Sequence, residues 1–272
     1  MLLKLYGTRG SVAVCNKETR KHGGNTTCIF IEARSGDMII VDAGTGIREL
    51  GKDLTARGKH KLNLIFSHYH WDHIQGFPFF TPIFLKATEL SIFGPPDEVS
   101  AEKALSYQMT MPYFPTGMSN LPSKITFKNL KKKLSIGSID IDTIVNNHPN
   151  HTRGFRFTEG NKSFVFLTDN EVHAQDGKTP YDEFVSFIRG ADLLIHDAQY
   201  TDEIYKKRLG WGHSTYNQVA ALAHDAGVKE LMITHHDHSS TDKFIEKNIK
   251  EVRKKYSKHK IEAAADGKTR RF

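Results

Sequence analysis

The stretch SHYHWDHIQG follows directly after the apolar run LNLIF. Within it, His68, His70, Asp72 and His73 are side chains of the kinds that bind divalent metals. Because successive residues at the end of a strand point to alternate sides, His68 and His70 can reach one ion, and the turn that follows brings Asp72 and His73 to a second point nearby. The spacing therefore predicts two adjacent metal sites.

The donor types narrow the choice of metal. Imidazole and carboxylate ligands suit zinc, with manganese or iron as alternatives. Cys15 and Cys28 form neither a CxxC pair nor a disulfide framework, which argues against a structural zinc-finger site. Any one of these histidines alone could be an ordinary buried polar residue or a helix cap, but four ligand-type residues at this spacing favour a metal centre.

Two ions need more than four ligands, and other strand-like runs end in suitable residues. His148 follows IDIDTIVNN, Asp169 ends SFVFLTD, and His235 follows ELMIT. Each residue alone is weak evidence, but three such strand ends in a chain that contains HxHxDH support one another.

Several neighbouring histidines compete for the same roles. His148 and His235 are preferred over His151 and His236 because each comes soonest after its apolar strand, although the choice between His235 and His236 stays open. Three other histidines are also considered: His238 lies close to His235, and His173 and His196 are expected to be structural or exposed.

The remaining pattern predicts one compact domain over residues 1–272, with sheets inside and helices outside. Eleven strand-like runs are separated by turn residues. A capping box of Thr215 and Gln218 opens a helix that ends at Gly227, and a second helix is expected from about 241 to 257. Segment 97–123 is either a lid over a pocket or a surface loop whose Met109, Met111, Tyr113 and Phe114 cap the core.

Composition sets the class of protein. With 38% hydrophobic and 25% charged residues, and no apolar run of about 18 residues, the chain is expected to be globular, with no membrane partner. The beginning of the chain lacks a signal-peptide core, so the cytoplasm is the expected location. The net charge of +7 tilts the choice toward phosphate-bearing substrates. The basic run at 131–133 contains no aromatic residue and the run at 253–260 contains only Tyr256, so both are expected to be solvated faces.

The motifs together resemble a known family. HxHxDH at residues 68–73, followed by His148, Asp169 and His235, is similar to the metallo-β-lactamase superfamily. GTRGS, HGGNTTC, VDAGTGI, NHP, LLIHDAQYT, GHST and ADG resemble its phosphodiesterase-like branch, which contains ribonuclease Z and the cyclic-phosphate phosphodiesterases of phosphonate breakdown. This similarity runs from Leu5 to about Gly267.

The resemblance implies an α/β fold, a four-layer αββα sandwich with the site at one edge. Asp169 would bridge two ions, and Asp42 would orient ligand imidazoles from outside the ligand set, with a turn-capping role as the alternative. The implied ligands are His68, His70 and His148 for one ion, and Asp72, His73 and His235 for the other.

A pair of divalent ions can activate water near neutral pH and neutralise charge on a phosphoryl group. Cleavage of a phosphodiester also needs an acid for the leaving oxygen. His213 in GWGHST matches the HST histidine of ribonuclease Z, which implies that it donates this proton, with Asp197 as its orienting partner. The alternative is a helix-entry residue without chemistry. The candidate catalytic residues are therefore His213, Asp72 and Asp197.

The leading hypothesis is a dinuclear metal-dependent phosphodiesterase of a small phosphodiester, such as a cyclic nucleotide or a cyclic ribose phosphate. Transfer RNA is disfavoured as a partner because ribonuclease Z grips it with an arm inserted between the third histidine motif and the bridging aspartate. Here a strand, a turn and a strand fill that interval. The loop at Arg9 could bind phosphate or be a plain turn.

Three alternatives are kept: hydrolysis of an ester, thioester or lactone, cleavage of single-stranded nucleic acid, and a non-catalytic binding module. The oligomeric state is open, a homodimer included.

Overall fold

The computed structural model describes residues 1–97 and 99–272, and in this part of the chain no helix is long and apolar enough to cross a membrane. The described residues form fourteen strands: β1 Leu2–Gly7, β2 Cys28–Glu32, β3 Met38–Val41, β4 Lys61–Ile65, β5 Glu89–Gly94, β6 Lys124–Asn129, β7 Lys133–Ile136, β8 Ile139–Val145, β9 Arg153–Glu159, β10 Lys162–Leu167, β11 Leu193–Asp197, β12 Glu230–Thr234, β13 Lys260–Ala263 and β14 Thr269–Arg271. Their α-helices are α1 Ile47–Ala56, α2 Trp71–Ile74, α3 Ala101–Gln108, α4 Tyr181–Ile188, α5 Asp202–Tyr205, α6 Tyr216–Asp225 and α7 Asp242–Lys255.

The strands make two mixed sheets of seven strands each among the described residues. The first has the order β14-β1-β2-β3-β4-β5-β6, and the second β13-β12-β11-β10-β9-β8-β7. Strands β3 to β6 run parallel, as do β10 to β13. The carboxyl ends of parallel strands meet at one edge of a sheet, which is where an α/β protein places its ligands.

Alternating side chains build the layers. In β2, Ile29 and Ile31 face the core between the sheets, whereas Phe30 faces the outer core under α1 and α3. In β10, Phe164 and Phe166 join the same central core, whereas Val165 and Leu167 pack under α4, α6 and α7. Both sheets therefore carry a helical layer on the outer face, and the predicted αββα sandwich is confirmed.

The eleven predicted strands are present, and three more were not predicted. These are β7, β13 and β14, whose sequences KLSI, KIEA and TRR are short and charged. All three lie at sheet edges, where charged side chains protect the exposed strand from pairing with other chains. Such residues give little apolar periodicity, so the sequence pattern missed them.

Segment 97–123 is partly helical, and residue 98 lies outside the described residues. Met109 is buried and Phe114 packs against the outer core of the first sheet, as the core-capping interpretation expected. The same interpretation is wrong for Met111 and Tyr113, which are 73% and 77% exposed. Proline and the turns around it, rather than apolar periodicity, shape this part of the segment.

Both helices predicted from the sequence, the one that begins after Thr215 and the one from about 241 to 257, are confirmed. Thr215 and Gln218 form the reciprocal capping box at the start of α6. At the start of α7, the hydroxyl of Thr241 accepts a hydrogen bond of 3.2 Å from the backbone N–H of Phe244. Each helix start thus has one of its unpaired N–H groups satisfied.

We expect Thr241→Ala to lower the free energy of unfolding by about 1 kcal/mol, because α7 loses its N-terminal cap. Thr241→Ser keeps the hydroxyl and serves as the control, with most of that loss avoided. Chemical denaturation of the three proteins measures the difference. Equal stability of the alanine variant and the wild type would contradict the capping role.

Candidate metal centre

The predicted ligand-type residues come together where strands of both sheets end. His68 follows β4, His148 follows β8, Asp169 follows β10 and His235 follows β12. The short helix α2 adds the last part of HxHxDH. Two groups have ligand atoms that all lie within 4.8 Å of one another: His68, His70, His148 and Asp169, and Asp72, His73 and His235.

Asp169 lies between the two groups. Its Oδ1 is 3.9 Å from Nε2 of His68 and 3.8 Å from Nε2 of His148. Its Oδ2 is 3.1 Å from Nε2 of His73 and 3.3 Å from Nε2 of His235. One carboxylate therefore presents a different oxygen to each group of histidines.

Asp72 completes the second group. Its Oδ2 is 3.1 Å from Nε2 of His235 and 3.4 Å from Nε2 of His73, and the two imidazole nitrogens are 3.3 Å apart. The same oxygen accepts a hydrogen bond of 2.8 Å from the backbone N–H of Ser11, which fixes the carboxylate. Three potential metal-ligand atoms, Oδ2 of Asp72 and the Nε2 atoms of His73 and His235, thus lie close together.

These residues fit divalent cations. The side chains of Asp42, Asp72 and Asp169 are at most 7% exposed. Among the described residues, no lysine or arginine forms an ion pair with any of them, and Nε2 of His68 is buried without a hydrogen-bond partner. Since buried carboxylates without a compensating cation are costly, the cluster has the charge and the free nitrogen that a metal site requires.

The pKa shifts agree with this charge distribution. Burial lowers the pKa of His148 to about 3 and holds the pKa of His68 well below its usual range, so both imidazoles are neutral, the form that binds metals. Burial alone would also lower the pKa of His73, but Asp72 and Asp169 outweigh it and raise that pKa well above its usual range. Positive charge is therefore favoured between these two carboxylates.

Asp42 orients one ligand imidazole. Its Oδ2 accepts a hydrogen bond of 2.8 Å from Nδ1 of His73, which leaves Nε2 of that ring directed at the centre. Ser67 donates to the same carboxylate through its N–H at 2.7 Å and its Oγ at 2.8 Å. The contact with His73 is the one expected of an orienting carboxylate, and the bond to Ser67 joins β3 to the turn after β4.

The structure distinguishes His235, whose ring faces the cluster, from His236 and His151, whose rings do not. Nδ1 of His235 lies 2.8 Å from Nε2 of Gln199, and its Nε2 points into the cluster. His236 turns the other way, with Nε2 3.2 Å from the carbonyl oxygen of Ala264. His151 also lies apart, with Nε2 3.0 Å from Nζ of Lys178.

Backbone strain collects at the same strand ends. In the described part of the chain, four non-glycine residues have a positive φ: Ser11 at 67°, Asp42 at 62°, Asp169 at 53° and His235 at 53°. This left-handed conformation costs a side-chain-bearing residue about 1–3 kcal/mol and persists where the surroundings enforce it. At Asp169 and His235 it turns the chain after a strand so that the side chain enters the cluster, and at Asp42 so that the carboxylate reaches His73. Ser11, in the loop after β1, presents its backbone N–H to Asp72.

His213 and Asp197 meet at the edge of the cluster. Nδ1 of His213 is 3.2 Å from Oδ2 of Asp197, and the ring stacks on His235 with centroids 5.3 Å apart. A nitrogen of His213 also lies within 4.8 Å of ligand atoms of Asp169 and His235. Burial would raise the pKa of Asp197, but hydrogen bonds with His196 and His213 hold it below its usual range. The carboxylate is therefore charged and fixes the His213 ring.

Glu171 supports the His213 loop and was not predicted from the sequence. Its buried carboxylate accepts hydrogen bonds from the N–H of Gly210 at 3.1 Å, the N–H of Gly212 at 3.0 Å and the hydroxyl of Tyr205 at 2.8 Å. Gly212 has φ 83°, and a Cβ there would lie 2.2 Å from the ring of His148. In the sequence, nothing distinguishes this glutamate from a surface acid.

The suggestion that the loop at Arg9 binds phosphate is wrong for Arg9 itself. Its side chain is fully buried and donates to the carbonyl oxygens of Gly23 at 2.9 Å, Asp237 at 3.1 Å and Ser240 at 2.7 Å. These bonds fix the loop that follows His235. A Cβ on Gly10, the next residue, would come within 2.5 Å of the His235 ring.

Comparison with known proteins agrees with this geometry. A family model described as "Beta-lactamase superfamily domain" matches residues 37–236, which is more than half of the chain. A protein named ribonuclease Z from Clostridium novyi (strain NT) is 28% identical over 250 residues, which cover 74% of this chain and 79% of that protein.

Two solved structures share the fold. The metallo-β-lactamase fold protein YhfI from Bacillus subtilis superimposes with a TM-score of 0.73 at 20% identity and covers 99% of this chain and 98% of its own. A diphosphatase of the PhnP family superimposes with a TM-score of 0.71 at 17% identity and covers 100% of this chain and 97% of its own. At these identities, the likeness shows the fold alone.

The sandwich and the histidine and aspartate cluster at its edge define a metal-binding hydrolase. The chain belongs to the metallo-β-lactamase superfamily, as the sequence motifs predicted.

We expect Asp42→Asn to weaken metal binding by roughly 10–100-fold, because the asparagine amide cannot provide the charged acceptor that orients His73. Competition with a chromophoric chelator measures the affinity. Asp53→Asn, at a surface carboxylate that binds Lys4 and Tyr6, is the control and should leave it unchanged. Wild-type metal affinity in the Asp42 variant would show that the contact with His73 is not needed for binding.

Proposed function

We propose that the protein is a dinuclear metal-dependent phosphodiesterase acting on a small phosphodiester, with a cyclic nucleotide or a cyclic ribose phosphate as the leading candidates. The observation that carries this proposal is the position of Asp169, whose two oxygens face separate groups of histidines. A bridging carboxylate of this kind suits a pair of ions.

In this proposal each ion has its own ligands, and Asp169 is shared. Zinc is the first choice because the donors are imidazoles and carboxylates, with manganese or iron as alternatives. When bound, such a pair supplies Lewis acidity that activates water and offsets charge on a phosphoryl group. The first ion is assigned to His68, His70 and His148, and the second to Asp72, His73 and His235.

His213 is proposed as the general acid. Hydrolysis forms a new P–O bond from water and breaks the P–O bond to the leaving oxygen, which takes up a proton. Asp197 accepts the Nδ1–H of His213 and so leaves Nε2 as the nitrogen that can carry a proton to a substrate. The same contact with Asp197 fixes the orientation of the ring in which Nε2 is available.

Two observations support a small substrate over transfer RNA. The interval between His148 and Asp169 consists of a short turn, β9, the turn at 160–161 and β10, so it has no space for the arm implied by the resemblance to ribonuclease Z. A cavity of about 520 Å³ opens beside His148 and is bounded by Gly212 and Lys178. This volume lies in the range of small-molecule sites.

A panel of substrates tests the reaction class. We expect the metal-loaded protein to cleave bis(p-nitrophenyl) phosphate and cyclic mononucleotides, and a chelator to abolish both activities. Hydrolysis of p-nitrophenyl acetate, a thioester or a lactone without phosphodiester cleavage would overturn the phosphodiesterase proposal in favour of acyl chemistry. Metal binding without any turnover would favour the non-catalytic alternative.

The His213→Ala variant tests the proton donor. We expect it to keep its metal content and to lose roughly two to four decades of turnover on a cyclic mononucleotide, whose ribose oxygen needs a proton to leave. Cleavage of bis(p-nitrophenyl) phosphate should fall far less, because p-nitrophenolate leaves without one.

His173→Ala, at an exposed histidine stacked on Tyr181, is the control and should behave as the wild type does. Equal losses on both substrates would contradict the acid role of His213. A fall in metal content would instead make His213 a ligand, a role that its closeness to Asp169 and His235 also allows.

A further inference from the structure

A basic groove lies beside the proposed metal centre. It is a cavity of about 750 Å³ at the edge of the second sheet, between β7, β8, β9 and α4. The run at 131–133, which the sequence predicts to be a plain solvated face, forms part of its wall. The cationic side chains of the groove are Lys131, Lys132, Lys133, Arg153, Arg156 and Lys178.

The groove leads to the centre. Lys178 lines both this cavity and the smaller one that contains His148. Along β8, Asp142 pairs with Lys133 in the sheet register, and the chain then runs six residues on to His148. At about 3.3 Å per residue, this path is at most about 20 Å long. A ligand in the groove can therefore extend into the site of chemistry.

Much of this positive charge is not neutralised within the protein. Lys133 pairs with Asp142 at 3.3 Å, and Arg153 pairs with Asp97. Arg156 donates to uncharged acceptors, which are the carbonyl oxygens of residues 187 and 189 and the hydroxyl of residue 163.

The remaining lysines have no acidic partner. In the part of the chain that the structure describes, no carboxylate forms an ion pair with Lys131, Lys132 or Lys178. Among the described residues of the lining, Glu183 is the one acidic residue besides Asp142. The groove therefore keeps an excess of positive charge along its length.

The shape and chemistry of the groove indicate one kind of ligand. Phe187 is the single aromatic residue among the lining residues that the structure describes, so the groove can bind negative charge but offers little stacking for bases. Several cations along one groove match a ligand with regularly spaced negative charges, whereas a single phosphate would use only part of them.

We propose that this groove binds the sugar–phosphate backbone of a short single-stranded oligonucleotide and directs its end toward the metal centre. The inference rests on the proposed phosphodiesterase function and extends its substrates from small cyclic phosphodiesters to a strand of a few nucleotides.

Fluorescence anisotropy of the metal-loaded protein with a labelled phosphorothioate oligo-uridylate of about ten nucleotides tests the groove. This backbone keeps its charge and resists cleavage. We expect Lys131→Gln combined with Lys132→Gln to weaken binding roughly tenfold and to reduce the slope of log affinity against log salt by about 1.4, or about 0.7 for each lost phosphate contact.

The matched control is Lys250→Gln with Lys254→Gln, which removes the same charge from α7. This helix packs on β13, at the opposite edge of the same sheet. The control should bind the strand as the wild type does. Equal weakening in both double variants, or none in the groove variant, would overturn the proposal, as would equally tight binding of a poly-glutamate peptide.

Hydrolysis of bis(p-nitrophenyl) phosphate separates this inference from the proposed function. The substrate is too small to reach Lys131 and Lys132, so the groove variant should cleave it at the wild-type rate. If the wild type cleaves this ester but does not bind the strand, the groove proposal alone fails. If the wild type binds the strand and cleaves no phosphodiester, the proposed reaction fails and the groove remains a nucleic-acid site.

Discussion

Asp72 and Asp169 place two carboxylates inside the protein, and no lysine or arginine of the described residues neutralises them. A buried negative charge is tolerated only when a cation or several hydrogen bonds compensate it. The hydroxyl of Thr168 and the N–H of Ser11 each donate one hydrogen bond to these carboxylates. The other groups around them are imidazole nitrogens, and the Nε2 atoms of His73 and His235 both face Oδ2 of Asp169. The rest of the site follows from this constraint, because the arrangement is stable and useful when positive charge occupies the space among these atoms.

Residues outside the ligand set maintain that arrangement, and each one connects separate parts of the fold. Asp42 at the end of β3 holds His73 in α2. Asp197 at the end of β11 holds His213, and Glu171 fixes the glycine loop before it. Because the two sheets face each other across one apolar core, their strand ends come within hydrogen-bond distance at a common edge. The packing of the sandwich thus offsets the conformational cost of the left-handed backbone at Asp42, Asp169 and His235.

Much of the site could be predicted because its residues directly follow apolar strands. His68 and Asp169 each end a run that the period-two pattern identifies, and strand ends of parallel sheets gather at one edge. The choice of His235 over His236 needed the structure, since both follow β12 and only backbone conformation decides which ring points inward.

The burial of Arg9 and the groove beside the site could not be predicted from the sequence pattern. Arg9 is a charged residue that the fold buries entirely, and charged residues are rarely so. The lysines at 131–133 and those of α7 look alike in the sequence, yet only the first group lines a groove beside the site. Pattern and composition describe single elements, whereas these properties depend on which elements the fold brings together.

The proposed dinuclear centre requires Asp169 to bridge two ions, and metal stoichiometry tests this requirement directly. Elemental analysis of the wild type and of Asp169→Ala, each reconstituted with zinc and desalted, measures it. Asp176→Ala, at an exposed carboxylate near His148, is the control. We predict about two ions per chain in the wild type and in the control, and a fall toward one in Asp169→Ala. A wild type that holds one ion or none, or an Asp169 variant that still holds two, would contradict the account.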